Sequence, residues 1–421
     1  MVFDSFIAAH WTLLGGVFVL AAILGAVVNK SDFCTMGAVS DIVNMQLWQR
    51  MRMWLLIIGV TVLGVSLLEP LGLIAADASM PPYRSAEIAW AGYILGGLLF
   101  GIGMTLGSGC GNKTVARIGT GNLKSLVVAA VLGIFALYMT TPLPLLEQSL
   151  RGLLFGWVDA TAISHDHGQD LASLAAGEAA GWLRPLIGLL LGGALLYAVL
   201  RVTAFRQDRN ALYGALAIAL CIIGIWALSS NIWVADGMGQ QERLDTYVAN
   251  WDFHHPETDA GRPDGYSWLA PQGVTFIGPL AQTTELAGSG LDPALITTGV
   301  MIVGGVLVGS LVWALLNGRF RMEWFADRAD LGRHLAGGAL MGIGGPLAMG
   351  CTFGQGITGL STLAIGAFLA TGSIILGSAV TMKVQYYKLL HDDEATLPKA
   401  LVTALVDLRL LPSSMRQLDA L

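Results

Sequence analysis

Charged side chains are scarce in this sequence, and their scarcity excludes a soluble protein. Only 12% of the 421 residues are Asp, Glu, Lys or Arg, about half of the roughly 25% that globular domains carry. The 23 cations and 29 anions cannot solvate the several soluble domains that this length would otherwise suggest. Hydrophobic residues reach 54%, and several uncharged runs approach or exceed the ~20 residues that cross a bilayer. The sequence therefore predicts a polytopic membrane protein.

Several familiar motifs are absent as well. Residues 1–10 contain Asp4 but no Lys or Arg, so they lack the basic start of a cleavable signal peptide, and we expect the first apolar run to remain as a span. No P-loop occurs, which argues against a built-in ATPase. The four cysteines form neither a CxxC pair nor a Cys/His zinc pattern. We therefore expect no metal site, no cofactor and no stabilising disulfide framework.

Apolar runs between the charges predict about nine transmembrane helices. If these helices alternate in direction, the loops on one side carry 18 of the 23 cations. The positive-inside rule then predicts a cytoplasmic C-terminus and an N-terminus on the outer side. The candidate helices cover residues 11–29, 53–69, 90–107, 125–141, 186–201, 211–229, 293–317, 334–349 and 360–382.

An internal repeat carries more information than the composition. Residues 96–110 read GGLLFGIGMTLGSGC and residues 337–351 read GGALMGIGGPLAMGC, with nine of the 15 positions identical. Under the alternating topology the two copies run in opposite directions. Inverted repeats are typical of transporters, in which the substrate site lies near the midplane between the repeats. The glycines that end each copy predict broken or re-entrant loops, which are tolerated at membrane depth only when buried or lining a cavity.

The predicted fold is therefore an all-α polytopic membrane protein with inverted repeats and broken Gly-Cys loops. The tail, around 396–412, alternates apolar and charged residues in the manner of an amphipathic cytoplasmic helix. The predicted organisation is an N-terminal membrane repeat at 1–145, an outer loop at 146–185, a connecting helix with the start of the second repeat at 186–229, an outer periplasmic insertion at 230–292, the rest of the C-terminal repeat at 293–390, and a cytoplasmic tail at 391–421.

The four cysteines fall into two groups. Cys221 lies in the aliphatic run ALAIALCIIGIWAL and is interpreted as a small buried hydrophobic residue. Cys110 and Cys351 each end a Gly-rich repeat beside polar residues, and Cys34 follows the first span in FCTMGAVSD. These three are therefore the candidate functional cysteines.

At these residues the sequence resembles the YeeE/YedE family of sulphur-compound transporters. The matching stretches are FCTMGAVSD, GIGMTLGSGCGNKTVARIGTGNLKSL and GIGGPLAMGCTFGQGITGLSTLAIG. The resemblance implies inward transport of a small sulfur-containing anion, most often thiosulfate, across a bacterial inner membrane. It also implies that Cys34, Cys110 and Cys351 relay the substrate, and a cytoplasmic sulfur-carrier protein is a possible partner. The expected contacts are otherwise membrane lipid, with no nucleic acid.

The chemistry of thiols fits this implication. Cysteine has an ordinary pKa of ~8.5, so a neutral S–H can contact the sulfur of an anion without trapping it, and helix N-termini can offset the negative charge. We expect Cys110 to be the central contact, with Cys34 on its cytoplasmic side and Cys351 on its outer side. Flanking residues are candidates to assist, although a plain anchoring role is equally open for the lysine: Gly109, Asn112, Lys113, Gly350 and Gln355.

Two alternatives remain open at this point. The same cysteines could serve covalent chemistry in a membrane sulfurtransferase or a thiol-redox enzyme, which would require an activated thiolate and a resolving partner. A selenium-linked branch of the same family also exists, so the resemblance leaves the choice between sulfur and selenium compounds open.

Overall fold

The computed structural model describes residues 1–235, 240–255, 262–391 and 395–419, and these segments are mainly helical. In chain order the helices are α1 (Phe6–Ser31), α2 (Thr35–Met45), α3 (Gln49–Leu68), α4 (Trp90–Leu106), α5 (Gly111–Gly119), α6 (Leu123–Thr140), α7 (Leu150–Asp159), α8 (Leu171–Ala176), α9 (Ala180–Leu200), α10 (Thr203–Gln207), α11 (Arg209–Ser230), α12 (Leu244–Ala249), α13 (Trp251–His254), α14 (Ile277–Gly288), α15 (Thr298–Leu316), α16 (Arg328–Leu347), α17 (Ile365–His391) and α18 (Leu397–Asp407).

Strands and tight helical turns are short and lie between these helices. Strand β1 (Val2–Phe3) pairs in parallel with β4 (Trp233–Ala235), which pairs antiparallel with β5 (Gln241–Arg243). Strands β2 (Glu87–Ile88) and β3 (Ile163–Ser164) form an antiparallel pair. The remaining turns are the 3-10 segments Gly177–Ala179, Asp264–Trp268, Pro293–Leu295 and Ser413–Met415, and a π-helical segment, Gly354–Gly359.

Within the described ranges, nine long helices match the nine apolar runs of the sequence. Eight of them, α1, α3, α4, α6, α9, α11, α15 and α17, are long and apolar enough to cross a membrane. The ninth, α16, begins with Arg328, Asp330 and Arg333 and is rich in glycine thereafter, which lowers its hydropathy. The prediction of an all-α polytopic membrane protein is confirmed.

The longest uncharged run is broken where its glycines predict a reversal. The 48 residues from Leu335 to Met382 contain no acidic or basic side chain. Within this run α16 ends at Leu347 and α17 begins at Ile365, with the π-helical segment between them. The chain is therefore broken around 349–359, where the reversal is predicted.

The helix packing repeats across the two halves of the chain. Helix α4 of the first half packs against α16 of the second. The contact of α6 with α16 corresponds to the contact of α17 with α4. In the same way, the contact of α3 with α11 corresponds to the contact of α15 with α1. Each contact in one half thus has a counterpart in the other, with α1 against α11 closing the set. Helix α9 stands outside this scheme and packs on α3. The two sets of four long helices, with one extra helix between them, match the predicted repeat, and their opposite orientation in the membrane stays a prediction.

Glycine allows the two repeats to cross at backbone contact. A Cβ on Gly344 would lie 2.5 Å from the carbonyl oxygen of Gly96. A Cβ on Gly103 would lie 2.7 Å from the carbonyl oxygen of Gly337. In the repeat alignment Gly96 corresponds to Gly337 and Gly103 to Gly344, so the internal symmetry exchanges one contact with the other. Small residues at such crossings are a general feature of membrane helix packing.

Loops meet at the two ends of this helical bundle. At one end, here the N-terminal face, the Met1 ammonium donates to the Asn231 carbonyl, and Met80 pairs with Gln272. At the other end, the tail face, Lys124 forms an ion pair with Asp330 at 2.8 Å. Helix α18 packs on α17 at the tail face and matches the predicted amphipathic tail helix.

Candidate functional site

Three of the long helices end in the same way. Asp32, Ser108 and Met349 follow α1, α4 and α16 and have φ angles of 48°, 59° and 54°. This left-handed conformation terminates a helix and is uncommon in residues other than glycine. In each case a cysteine follows two residues later. The three breaks therefore share one local geometry, although only two of them belong to the sequence repeat.

Each of these cysteines begins a short helical element inside the protein. Cys34 is the N-cap of α2, Cys110 is the N-cap of α5, and Cys351 precedes the π-helical segment. All three side chains are buried, with 7%, 2% and 0% of their surfaces exposed. The Cys34 Sγ accepts the N–H of Gly37 at 3.3 Å.

The Cys351 thiol lies against several backbone donors. Its Sγ accepts the N–H groups of Phe353 and Gly354, each at 3.4 Å. The N–H of Phe276 and the side chain of Thr275 also lie beside this sulfur. Converging backbone N–H groups create a region that favours negative charge.

A fourth short helix completes the set, and it carries no cysteine. Helix α14 begins at Ile277 and packs on α6 and α15. Helix α2 packs on the corresponding helices, α17 and α3. Helix α14 therefore takes the place in the second half that α2 takes in the first. Phe276 at its N-terminus contacts Phe353 with ring centroids 5.4 Å apart. Phe353 in turn contacts Phe33, which precedes Cys34, at 6.2 Å. We number the breaks at Cys34, Cys110 and Cys351 as the first, second and third, and the start of α14 as the fourth. A Cβ on Gly111 would lie 3.0 Å from the Cβ of Phe276, so all four breaks converge on one buried centre.

Cys110 occupies the middle of this centre. It lies close enough to both Cys34 and Cys351 to interact with them electrostatically, and it borders the Thr352 side chain and the Lys113 backbone N–H. The three candidate cysteines predicted from the sequence are therefore brought together. Cys221 lies apart on α11, in its aliphatic run, with 5% of its surface exposed.

Buried polar atoms without a partner are concentrated at the breaks. In the described part of the chain, twelve buried side-chain oxygens and nitrogens have no hydrogen-bond partner. Buried polar groups are normally paired, and each exception requires an explanation. Those at or against the four breaks belong to Thr35, Trp54, Tyr83, Asn112, Thr275, Thr352, Gln355 and Thr371.

Charged groups approach the centre from the tail face. The Lys113 ammonium, in the first turn of α5, forms an ion pair with Asp32 at 2.5 Å, and its side chain is only 10% exposed. Asp32 also binds Arg50 at 3.3 Å. Arg117 donates instead to the carbonyl of Ser108 at 2.6 Å. The ion pair between Lys113 and Asp32 therefore links the first break to the second.

The other flanking residues predicted from the sequence occupy distinct places. Gly109 and Gly350 are buried, and Gly350 has a φ of 156° with its α-carbon facing Gln355. Gln355 donates to the carbonyl of Ala348 at 2.6 Å, which leaves its Oε1 unpaired. Asn112 Oδ1 is likewise unpaired in the described chain.

A cavity of about 190 Å³ leads from the N-terminal face toward the same centre. Since one water takes up about 30 Å³ of liquid volume, this space holds several water-sized groups. Its walls include Gln272, Thr275, Met349 and Gly350, which border the third and fourth breaks.

Helix α14, Thr275 and Tyr83 are absent from the sequence-based set of candidates. The apolar run TFIGPLA was a usable signal, because it interrupts an otherwise polar insertion. No comparable signal marks Tyr83, which reaches the centre through the pairing of Met80 with Gln272, 192 residues further along the chain.

Known proteins are similar in sequence to this protein over most of its length. Residues 30–380 match the family model described as sulphur transport. A thiosulfate transporter, TsuA, of Escherichia coli (strain K12) is 25% identical over 381 residues, which cover 87% of this chain and 92% of that protein. A thiosulfate transporter TsuA of Spirochaeta thermophila (strain ATCC 700085 / DSM 6578 / Z-1203) is 26% identical over 293 residues, covering 68% of this chain and 75% of that protein.

Proposed function

The chain belongs to the sulphur-transport family, YeeE/YedE, and on this premise we propose that it takes up thiosulfate by passing the anion along Cys351, Cys110 and Cys34. The observation that carries the proposal is the convergence of these three buried thiols at helix breaks, with Cys110 near both of the others. Curated relatives named thiosulfate transporters support the choice of substrate.

The environment of the thiols suits transient binding of an anion. Thiosulfate has a terminal sulfur that a neutral S–H can contact as a weak donor. The N-termini of α2, α5 and α14 and the backbone N–H groups beside Cys351 offset the negative charge. Several weak sites in series favour passage, whereas a single strong cationic site would retain the ion.

The distribution of cations supports the proposed orientation of the chain. The loops of the tail face hold 18 of the 23 Lys and Arg residues, which supports a cytoplasmic tail face and a periplasmic N-terminal face in a bacterial inner membrane. The anion then enters by the cavity at the N-terminal face, meets Cys351 first and leaves past Cys34. A cytoplasmic sulfur-carrier protein is the proposed acceptor at the tail face.

The flanking residues assist at particular steps. Asn112 and Gln355 assist beside Cys110 and Cys351, where their unpaired amide oxygens are acceptors that suit a thiol S–H and not the anion itself. Gly109 and Gly350 let the side chains of Lys113 and Gln355 lie directly against the backbone of the second and third breaks. Lys113 supplies a cation at the second break, where Asp32 balances its charge before the anion arrives.

Growth on thiosulfate as sole sulfur source tests the proposal. A bacterial strain lacking its own thiosulfate and sulfate uptake is complemented with the wild type or with Cys34→Ala, Cys110→Ala or Cys351→Ala. We expect the wild type to restore growth and uptake of radiolabelled thiosulfate, and each of these variants to lower uptake at least tenfold.

Cys221→Ala is the matched control, because it removes an equally buried thiol from α11, away from the breaks. We expect this variant to transport at the wild-type rate, with expression checked by immunoblot. The proposal is refuted if the wild type does not take up thiosulfate, or if Cys110→Ala transports normally while Cys221→Ala does not.

A further inference from the structure

Two buried hydroxyl groups lie on the N-terminal-face side of Cys351. Thr275 and Tyr83 have only 3% and 2% of their surfaces exposed. The hydroxyl of Tyr83 has no hydrogen-bond partner in the described residues, and that of Thr275 has no oxygen or nitrogen partner there and lies beside the weakly accepting Cys351 sulfur. A buried hydroxyl left unpaired costs about 1–3 kcal/mol, so an unpaired hydroxyl next to a second one that meets only a sulfur requires an explanation.

Both hydroxyls face the same point, the α-carbon of Gly354. A Cβ placed there would lie 2.5 Å from Thr275 Oγ1 and 3.3 Å from Tyr83 Oη. Gly354 is also the residue whose N–H donates to the Cys351 thiol at 3.4 Å. The two hydroxyls and this sulfur therefore surround one glycine that carries no side chain.

Separate parts of the chain hold the two hydroxyls in place. Thr275 comes just before α14, where the carbonyl of the preceding Val274 accepts the hydroxyl of Thr358 at 2.9 Å. Tyr83 lies in the loop after α3, and its neighbour Arg84 donates to the Thr362 carbonyl at 3.0 Å. Both are thus anchored to the chain that follows Cys351, so their positions relative to the thiol are fixed.

The cavity that opens at the N-terminal face ends beside this place, at Thr275, whereas Tyr83 and Cys351 lie behind its wall. Thr275 and Gly350 both line the cavity described above. Burial raises the pKa of Tyr83 well above its ordinary value, so its hydroxyl is protonated and can donate a hydrogen bond at every physiological pH. A threonine hydroxyl is a donor as well.

Building on the thiosulfate transport proposed above, we propose that Thr275 and Tyr83 form the oxygen-binding half of the outer substrate site, opposite the thiol of Cys351. The ligand class is a small tetrahedral oxyanion that carries one sulfur in place of an oxygen. The hydroxyls donate to its oxygens while the thiol contacts its sulfur, so the anion is held in one orientation. The fourth break thus contributes a hydroxyl where the other three contribute thiols.

Uptake kinetics of four variants test this assignment. Thr275→Val and Tyr83→Phe each remove one hydroxyl with little change of shape, whereas Thr275→Ser keeps the hydroxyl at position 275. Loss of one hydrogen bond to a charged ligand corresponds to about a tenfold change in affinity. We therefore expect the valine and phenylalanine variants to raise the KM for thiosulfate about tenfold with little change in Vmax, and the serine variant to keep the wild-type KM.

Thr61→Val is the control, because Thr61 is buried in α3 and its hydroxyl bonds the Ile57 carbonyl of its own helix. A merely structural defect lowers Vmax through loss of folded protein and leaves KM unchanged, which would contradict the assignment. So would a Thr275→Ser variant with the KM of Thr275→Val.

The assignment and the transport function fail in different ways. If the wild type transports and Cys351→Ala does not, while Thr275→Val and Tyr83→Phe keep the wild-type KM, only the oxygen-binding assignment is overturned. If the wild type neither binds nor transports thiosulfate, both are overturned.

Discussion

Replacement of Gly344 by alanine tests whether the close crossing of α4 and α16 holds the two repeats together. A Cβ at this position would lie 2.5 Å from the Gly96 carbonyl oxygen and 2.6 Å from the Phe100 amide nitrogen. Both are backbone atoms of α4, so neither can rotate away. Since unstrained carbon contacts require roughly 3.5 Å, the two helices must separate locally by about 1 Å.

The expected change in the free energy of unfolding combines two opposing effects. Alanine is favoured over glycine inside a helix by about 1 kcal/mol. Overpacking a tight contact costs about 1–3 kcal/mol, and the separation also loosens the symmetry-related contact between Gly103 and Gly337. We expect Gly344→Ala to be destabilised by up to about 2 kcal/mol on balance.

Gly193→Ala is the matched control, because Gly193 lies in α9 and a Cβ there meets no atom within 4 Å. This variant keeps the gain in helix propensity without the clash and should be at least as stable as the wild type. Thermal unfolding of the purified proteins in detergent measures the difference, and thiosulfate uptake measures its consequence at the adjacent cysteines. The reasoning is refuted if Gly344→Ala melts at or above the temperature of Gly193→Ala.

Two further predictions concern charged side chains. Lys113→Gln removes the cation at the second break and should raise the KM for thiosulfate roughly tenfold, as for loss of a charge-assisted contact. Lys30→Gln is the control and should leave the KM unchanged. Equal KM values of the two variants in an uptake assay would contradict this role of Lys113. Burial raises the pKa of Asp170, but hydrogen bonds from Ser173 and Arg184 outweigh this effect and hold it below its ordinary value. This contribution to stability is therefore present above the unfolded pKa of ~3.9 and lost as the pH falls through the folded pKa. Asp170→Asn should lower the melting temperature at neutral pH and weaken its dependence on pH below about pH 4, and an unchanged pH dependence would argue against it.

Local patterns in the sequence predict much of this molecule, because they are determined by nearby residues. Uncharged runs mark the long helices, and the repeated glycines mark both the crossing of the repeats and the breaks. Cys110 and Cys351 stand out because the repeat copies their position, and Cys34 stands out through the family resemblance. The structure adds that Asp32 ends α1 in the left-handed conformation also found before the other two cysteines.

The parts that escaped prediction depend on contacts between distant segments. Helix α14 lies within a stretch containing nine acidic residues, so the average polarity of that stretch conceals one short helix whose N-terminal half is buried. Tyr83 lies in the loop after α3, and this loop is held in place by the pairing of Met80 with Gln272. Sequence patterns do not reveal such a pairing. The fourth break has no cysteine and therefore lacks the residue that makes the other three recognisable.

The glycine crossing between α4 and α16 also restricts how this protein can move. Helices that slide past one another do so over an intervening layer of side chains that can change rotamer. Here the backbones themselves touch at the Gly96–Gly344 and Gly103–Gly337 contacts, so no side chain separates the two helices at these two points. The two halves are therefore expected to behave as one rigid frame, without the rocking of one half against the other that many carriers use. Any opening that admits an anion then has to come from small local adjustments of the short helices and their turns, and such a protein can turn over without reorienting its whole bundle.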